Sequence, residues 1–72
     1  MDDRNERLET ALRILTKARL VSMSVPGFVV GRWCDAWEAE AKRRDLEPGA
    51  DYWEQGIRWI MSRIAANESP PG

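Results

Sequence analysis

Residues 31–37 read GRWCDAW and carry two of the four tryptophans and the only cysteine of this 72-residue chain. Successive residues of an α-helix are rotated by about 100°, so residues three and four apart share a side. On that spacing one apolar side is formed by Val30, Trp33, Cys34, Trp37 and Ala41. A helix in a bundle buries such a stripe against its neighbours. The stretch therefore predicts a helix over residues 27–44 whose tryptophan side lies in the core.

A second helical pattern precedes this stretch and covers residues 3–20. Its apolar residues gather at helical spacing, and the stripe Leu8, Leu12 and Leu15 is expected to face the core. Acidic residues at its start and basic residues at its end suit the helix dipole. The pattern predicts a long first helix that packs through its leucines.

A third pattern follows the loop 45–51, in which Pro48-Gly49 is a strong turn signal. Asp51 lies three residues before a glutamate, which is the spacing of a capping box. The pattern predicts a helix over residues 52–66. Its expected core stripe consists of Trp53, Ile57, Ile60 and Ile64.

Together these patterns predict an all-α fold, a small three-helix bundle with a single domain over residues 1–66 and a disordered tail over 67–72. A single core in a chain shorter than about 80 residues seldom supplies more than about 3–5 kcal/mol. One cysteine and no histidine leave neither an internal disulfide nor a structural zinc to add stability. Either very close packing or completion of the bundle by dimerisation has to supply the rest.

The charge of the chain is nearly balanced, with 11 basic and 12 acidic residues and a net charge of −1. Nucleic-acid-binding domains usually carry a basic excess, so overall charge does not favour a nucleic acid partner. Apolar runs fall short of the ~18 residues that span a membrane. The charged start, MDDRNER, is not followed by the apolar run of a signal peptide. We expect a cytoplasmic protein, where a lone thiol stays reduced, and no membrane partner.

Residues for catalysis are sparse. Cys34 has no histidine to act as its base, because the chain contains none. The carboxylates lie on predicted polar faces, many of them beside a basic residue at helical spacing. The segment GFVVGRW, residues 27–33, lacks the Lys-Ser/Thr ending of a phosphate-binding P-loop. We expect a non-enzymatic protein with no cofactor, no metal and no small-molecule ligand.

The third helix carries more apolar surface than its core stripe. Tyr52, Gly56, Trp59 and Arg63 follow one another along a second edge, with Met61 beside them. Tyr, Trp and Arg are the residue types that contribute most at protein interfaces, and a glycine lets another backbone approach closely. We therefore expect these five residues to bind a protein partner or a second copy. Two alternatives explain the same residues without a partner. The third helix lies centrally between the other two, or Tyr52 and Trp59 form a rim of the core with their polar tips in water.

The leading functional hypothesis is a small helical protein-interaction or regulatory module. If Trp59 lies on the contact surface, its replacement by alanine weakens association and leaves the chain folded.

Residues 21–25, Val-Ser-Met-Ser-Val, alternate between apolar and polar, and a proline and two helical patterns follow. This order resembles the ribbon-helix-helix repressors and antitoxins, in which a short strand pairs across a dimer and enters the major groove of DNA. The resemblance covers about residues 21–64 and implies a dimeric DNA-binding repressor. Its groove-facing residues would be Ser22 and Ser24, without an arginine or lysine. The alternative is that the segment forms a loop between helices.

Overall fold

The computed structural model describes residues 3–47 and 51–70. It contains three helices, α1 (Asp3–Ser22), α2 (Gly27–Arg43) and α3 (Tyr52–Ala65), and the described ranges contain no strand. Each helix contacts the other two, so the predicted all-α three-helix bundle is confirmed. All three helices begin at their predicted residues and end within two residues of their predicted ends. The predicted Pro48-Gly49 turn lies outside the described residues.

The core is built mainly by α2 and α3. The predicted stripe of α2 is confirmed, because Val30, Trp33, Cys34, Trp37 and Ala41 are all buried. On α3, Trp53, Ile57 and Ile60 are buried and Ile64 is partly buried at the edge of the core. The sequence pattern therefore identified the inward sides of both helices.

The predicted core stripe of α1 is wrong for two of its three leucines. Leu8 and Leu15 are exposed, and Leu12 is only partly buried. The side that packs inward instead carries Thr16 and Leu20. The hydroxyl of Thr16 donates a hydrogen bond to the carbonyl of Leu12 at 2.8 Å, which satisfies this polar group inside the core.

Two sets of charged contacts connect α1 to the other helices on its inward-facing half. Arg13 lies one turn before Thr16 and pairs with two carboxylates of α2, Asp35 at 2.6 Å and Glu38. Near the other end of α1, Arg19 pairs with Glu54 of α3. A helix with apolar residues on two sides can pack either one inward, and apolar periodicity alone favoured the wrong side.

The end of α1 and the turn after it occupy residues 21–25, the segment that the ribbon-helix-helix resemblance assigns to a strand. Val21 and Ser22 belong to the helix, and Met23 and Ser24 form a turn. Ser24 has φ 69°, and the N–H of Val25 donates to the carbonyl of Leu20 at 3.0 Å. These are the marks of a Schellman motif, which ends a helix and satisfies its last carbonyls. The strand required by the ribbon-helix-helix resemblance is therefore a helix end followed by a turn.

The same motif ends the other two helices, with Asp45 (φ 58°) after α2 and Asn67 (φ 60°) after α3. Beyond Asn67, the N–H of Glu68 donates to the carbonyl of Arg63 at 3.0 Å, and the two side chains form an ion pair. The start of the predicted tail 67–72 is thus bonded to α3. Residues 71–72 lie outside the described residues.

Candidate interaction surfaces

The closest approach between α2 and α3 lies at Trp37 and Gly56. A Cβ atom placed on Gly56 would lie 2.6 Å from Cδ1 and Nε1 of the Trp37 ring, which is well inside van der Waals contact. Trp37 is completely buried and Gly56 is buried. Only glycine fits this position of α3, because the tryptophan ring occupies the space of a side chain.

Aromatic rings surround this contact. The ring of Trp37 lies 5.5 Å from that of Tyr52 and 5.8 Å from that of Trp59, measured between centroids. Trp33 meets Trp59 edge to face at 6.3 Å, and Tyr52 meets Trp53 in the same way at 5.2 Å. Tilted and edge-to-face arrangements are the favoured ones for aromatic pairs. Five aromatic residues of α2 and α3 therefore form one continuous cluster.

The structure divides the five residues predicted to bind a partner. Tyr52 and Gly56 lie inside the chain's own core, where both contact Trp37. The close approach predicted for Gly56 therefore occurs within the chain and leaves no room there for a second backbone. Trp59, Met61 and Arg63 are partly exposed, and partner binding by these three stays a prediction.

A groove of about 440 Å³ runs beside Trp59, between α2 and the end of α3. Its apolar part includes Trp33, Ala36 and Trp59. Its edges hold two ion pairs, Glu40 with Arg43 and Arg63 with Glu68, each at 2.7 Å. Arg63 also lies over the Trp59 ring, 4.6 Å from its centroid, in cation–π geometry. The charges at the edges are thus paired with one another.

Four described groups have shifted pKa values with clear causes, and one of them is Arg43, whose pKa is raised by its hydrogen bond to Glu40. Burial raises the pKa of the Cys34 thiol above its usual range, so this sulfur stays protonated at neutral pH and is a poor nucleophile. Burial likewise raises the pKa of Tyr52, with a smaller contribution from the nearby Glu9 carboxylate. Hydrogen bonds from Arg43 and Arg44 lower the pKa of Glu40 to about 2. None of these shifts brings a group close to neutral pH, where acid–base catalysis works best.

A second surface lies on α1, on the side turned away from Thr16 and Leu20. It carries Leu8, Ala11, Ile14, Leu15, Ala18 and Val21, all of them exposed; we call this set the outer face of α1. The exposed fractions of its large side chains are 60% for Leu8, 60% for Ile14, 64% for Leu15 and 53% for Val21. Scattered apolar residues are normal on a protein surface, but a contiguous row is typical of an interaction site.

The helical spacing of apolar residues identifies this row in the sequence, but it predicts a core stripe where the structure has an exposed surface. The helical spacing correctly placed Leu8, Leu15 and their apolar neighbours together. The same spacing predicts a core position for Leu8 and Leu15, because a bundle helix normally buries its main apolar stripe. In the structure Thr16 and Leu20 pack inward and Arg13 pairs with α2, and no sequence spacing predicts these contacts between helices.

Comparison of the chain with models of protein families, with curated proteins and with solved structures finds no match. Within residues 3–47 and 51–70, no group of three or more carboxylate or thiol side chains is placed to hold a metal ion. In the same residues, no helix combines the length and apolar character needed to cross a membrane.

The contact between Gly56 and Trp37 predicts opposite effects for two glycine substitutions. Gly56→Ala is expected to lower the free energy of unfolding by about 1–2 kcal/mol, because overpacking outweighs the gain in helix propensity. Gly31→Ala is the matched control, since a Cβ there meets nothing within 4 Å. That change is expected to raise stability by about 0.5–1 kcal/mol. Urea unfolding followed by circular dichroism measures both, and a stabilised Gly56→Ala variant would contradict the packing.

The position of Trp59 changes the expected effect of its replacement by alanine. Trp59 contacts two other tryptophans and Arg63, so Trp59→Ala is expected to lower the free energy of unfolding by about 2–3 kcal/mol. Phe28→Ala is the control, because Phe28 is 83% exposed and its loss should change stability by less than about 0.5 kcal/mol. Equal urea midpoints for the two variants would show that Trp59 does not contribute to the core and would contradict this packing.

Proposed function

We propose that this chain is a non-enzymatic protein-interaction or regulatory module that docks another protein surface on the outer face of α1. The proposal rests chiefly on one observation, the row of four large aliphatic side chains that each expose more than half of their surface. The row extends from Leu8 to Val21, a distance of about 20 Å along the helix. Surfaces of this kind recur where an amphipathic helix meets a partner helix or groove.

The energetics agree with a docking role. Complete burial of a leucine, isoleucine or valine side chain stabilises by about 1.5–3 kcal/mol, so covering the exposed fraction contributes about 1–2 kcal/mol for each. Four such residues contribute about 4–8 kcal/mol, at least as much as the roughly 3–5 kcal/mol that a single core in a chain this small supplies. A partner on this face would therefore stabilise the bundle as well as bind to it.

A second contact surface is proposed at Trp59, Met61 and Arg63. Its support is the stacking of Arg63 on the partly exposed Trp59 ring, since tryptophan and arginine are frequent hot-spot residues. This surface is secondary because Trp59 is already engaged by Trp33 and Trp37. A cytoplasmic location also belongs to the proposal and is supported by the unpaired thiol of Cys34.

Site-specific photocrosslinking in cells of the source organism tests the docking role. A benzophenone amino acid at Leu15 is expected to form covalent adducts with protein, because this position lies in the middle of the outer face. The same amino acid at Phe28 is the matched control, since Phe28 is an exposed aromatic residue outside that face. Circular dichroism verifies that both variants fold. Absence of adducts from position 15, or equal yields from both positions, contradicts the proposal.

A further inference from the structure

We propose that the outer face of α1 is covered by the same face of a second copy of this chain, with the two α1 helices antiparallel. This inference rests on the proposed function and names the partner. It makes the protein a twofold homodimer in which the helices of two bundles meet side by side.

The first argument is the order of residues on the face. The row has the same order of large and small residues when it is read in either direction. Large residues stand at both ends and as a pair in the centre, and an alanine separates each end from the centre. The residues are Leu8, Ala11, Ile14, Leu15, Ala18 and Val21. A twofold interface needs such self-complementarity, since residue i contacts residue j and residue j contacts residue i. Antiparallel helices centred between Ile14 and Leu15 bring each Ala11 level with Ala18 of the second copy.

The second argument is shape. Ala11 and Ala18 lie along the middle of the face, with Leu8 and Leu15 on one side and Ile14 and Val21 on the other, as the 100° spacing places them. Small residues in the middle allow two helices to approach closely, while the larger ones close the sides.

A shallow open groove between side chains of α1 lies at the N-terminal half of the face. It is lined by Glu6, Arg7, Thr10, Ala11 and Ile14. In the antiparallel arrangement Val21 of the second copy lies level with this groove and on the same side of the helix pair. The geometry thus gives the last large residue of the face a place to pack.

The third argument is charge, and it fixes the direction. α1 has five basic and three acidic residues. In a parallel pair each basic residue would lie beside the same residue of the second copy, and the two like charges would repel each other. In the antiparallel pair Arg7 of the second copy lies at the height of residue 22 of the first copy. The two Arg7 side chains are therefore 15 residues, or about 22 Å, apart along the helix axis. That separation exceeds the Debye length of about 8 Å at physiological salt. The helix dipoles also oppose each other favourably only in the antiparallel pair.

The size of the face sets the expected affinity. A row about 20 Å long on a single helix is smaller than a standard protein interface of about 800 Å² per partner. The dimer should therefore dissociate in the micromolar range rather than persist at all concentrations.

Sedimentation equilibrium of the full chain, from micromolar to millimolar concentration, tests the homodimer. The unmodified chain is expected to change from monomer to dimer over this range. Leu15→Glu should raise the dissociation constant at least about tenfold, with an unchanged helical spectrum because Leu15 is already 64% exposed within the bundle. Phe28→Glu is the control and should dimerise like the unmodified chain.

Disulfide formation tests the direction of the helices. Leu15→Cys lies next to the twofold axis and should form a covalent dimer on oxidation. Leu8→Cys lies far from its own copy in an antiparallel pair and should not. The unmodified chain controls for the buried Cys34, and efficient cross-linking through Leu8→Cys would show a parallel pair and overturn the arrangement.

The two proposals fail in different ways. A chain that stays monomeric at millimolar concentration overturns the homodimer, as does a dimer that survives Leu15→Glu and is lost in Phe28→Glu. If the chain is monomeric and position 15 still photocrosslinks to a protein of different mass, the docking role stands and the second copy is wrong. Absence of adducts from position 15 overturns the docking role itself.

Discussion

The contact of Trp37 with Gly56 is the constraint on which the rest of the bundle depends. It sets how closely α2 and α3 approach, because a Cβ on residue 56 would lie only 2.6 Å from atoms of the tryptophan ring. Tyr52 and Trp59 flank the same ring from α3. The arrangement also has a cost, since the indole N–H groups of Trp37, Trp53 and Trp59 are buried without a hydrogen-bond partner. Each such buried donor costs about 1–3 kcal/mol.

The aromatic cluster of α2 and α3 fills most of the core, so α1 contributes few residues to it. α1 adds Leu20 and Thr16 to the core and is held by ion pairs of Arg13 and Arg19 with the other two helices. Surface ion pairs contribute little individually and weaken in salt. α1 packs against both other helices through the side that carries Thr16 and Leu20, and its larger apolar row faces outward. A small chain that leaves a contiguous row of large aliphatic side chains exposed to water is suited to association.

Much of the fold could be predicted from the sequence, because α2 and α3 each have one dominant apolar side. Val30, Trp33 and Trp37 repeat at helical spacing with charged residues opposite, so only one orientation buries the stripe. α1 could not be oriented in this way. Its leucines form the more apolar row, yet Thr16 and Leu20 pack inward. On the same half of the helix Arg13 pairs with carboxylates 22 and 25 residues further along the chain, a contact that spacing within one helix does not show.

The candidate surfaces were predicted less well, for a related reason. Tyr, Gly, Trp and Arg at one edge of α3 suit either an interface or an aromatic core, and spacing along one helix does not show what the next helix contributes. Here Trp37 of α2 fills the space above Gly56. The motif that ends α1 was also missed, since a serine at φ 69° is uncommon and alternation at residues 21–25 suggested a strand.

The most direct test of the central contact is a nuclear Overhauser spectrum of the folded chain. The account predicts strong cross-peaks between the Hα protons of Gly56 and the indole Hδ1 and Hε1 protons of Trp37, because these atoms are in van der Waals contact. A well-dispersed spectrum in which the Trp37 indole shows no cross-peak to Gly56 would contradict the packing of α2 on α3.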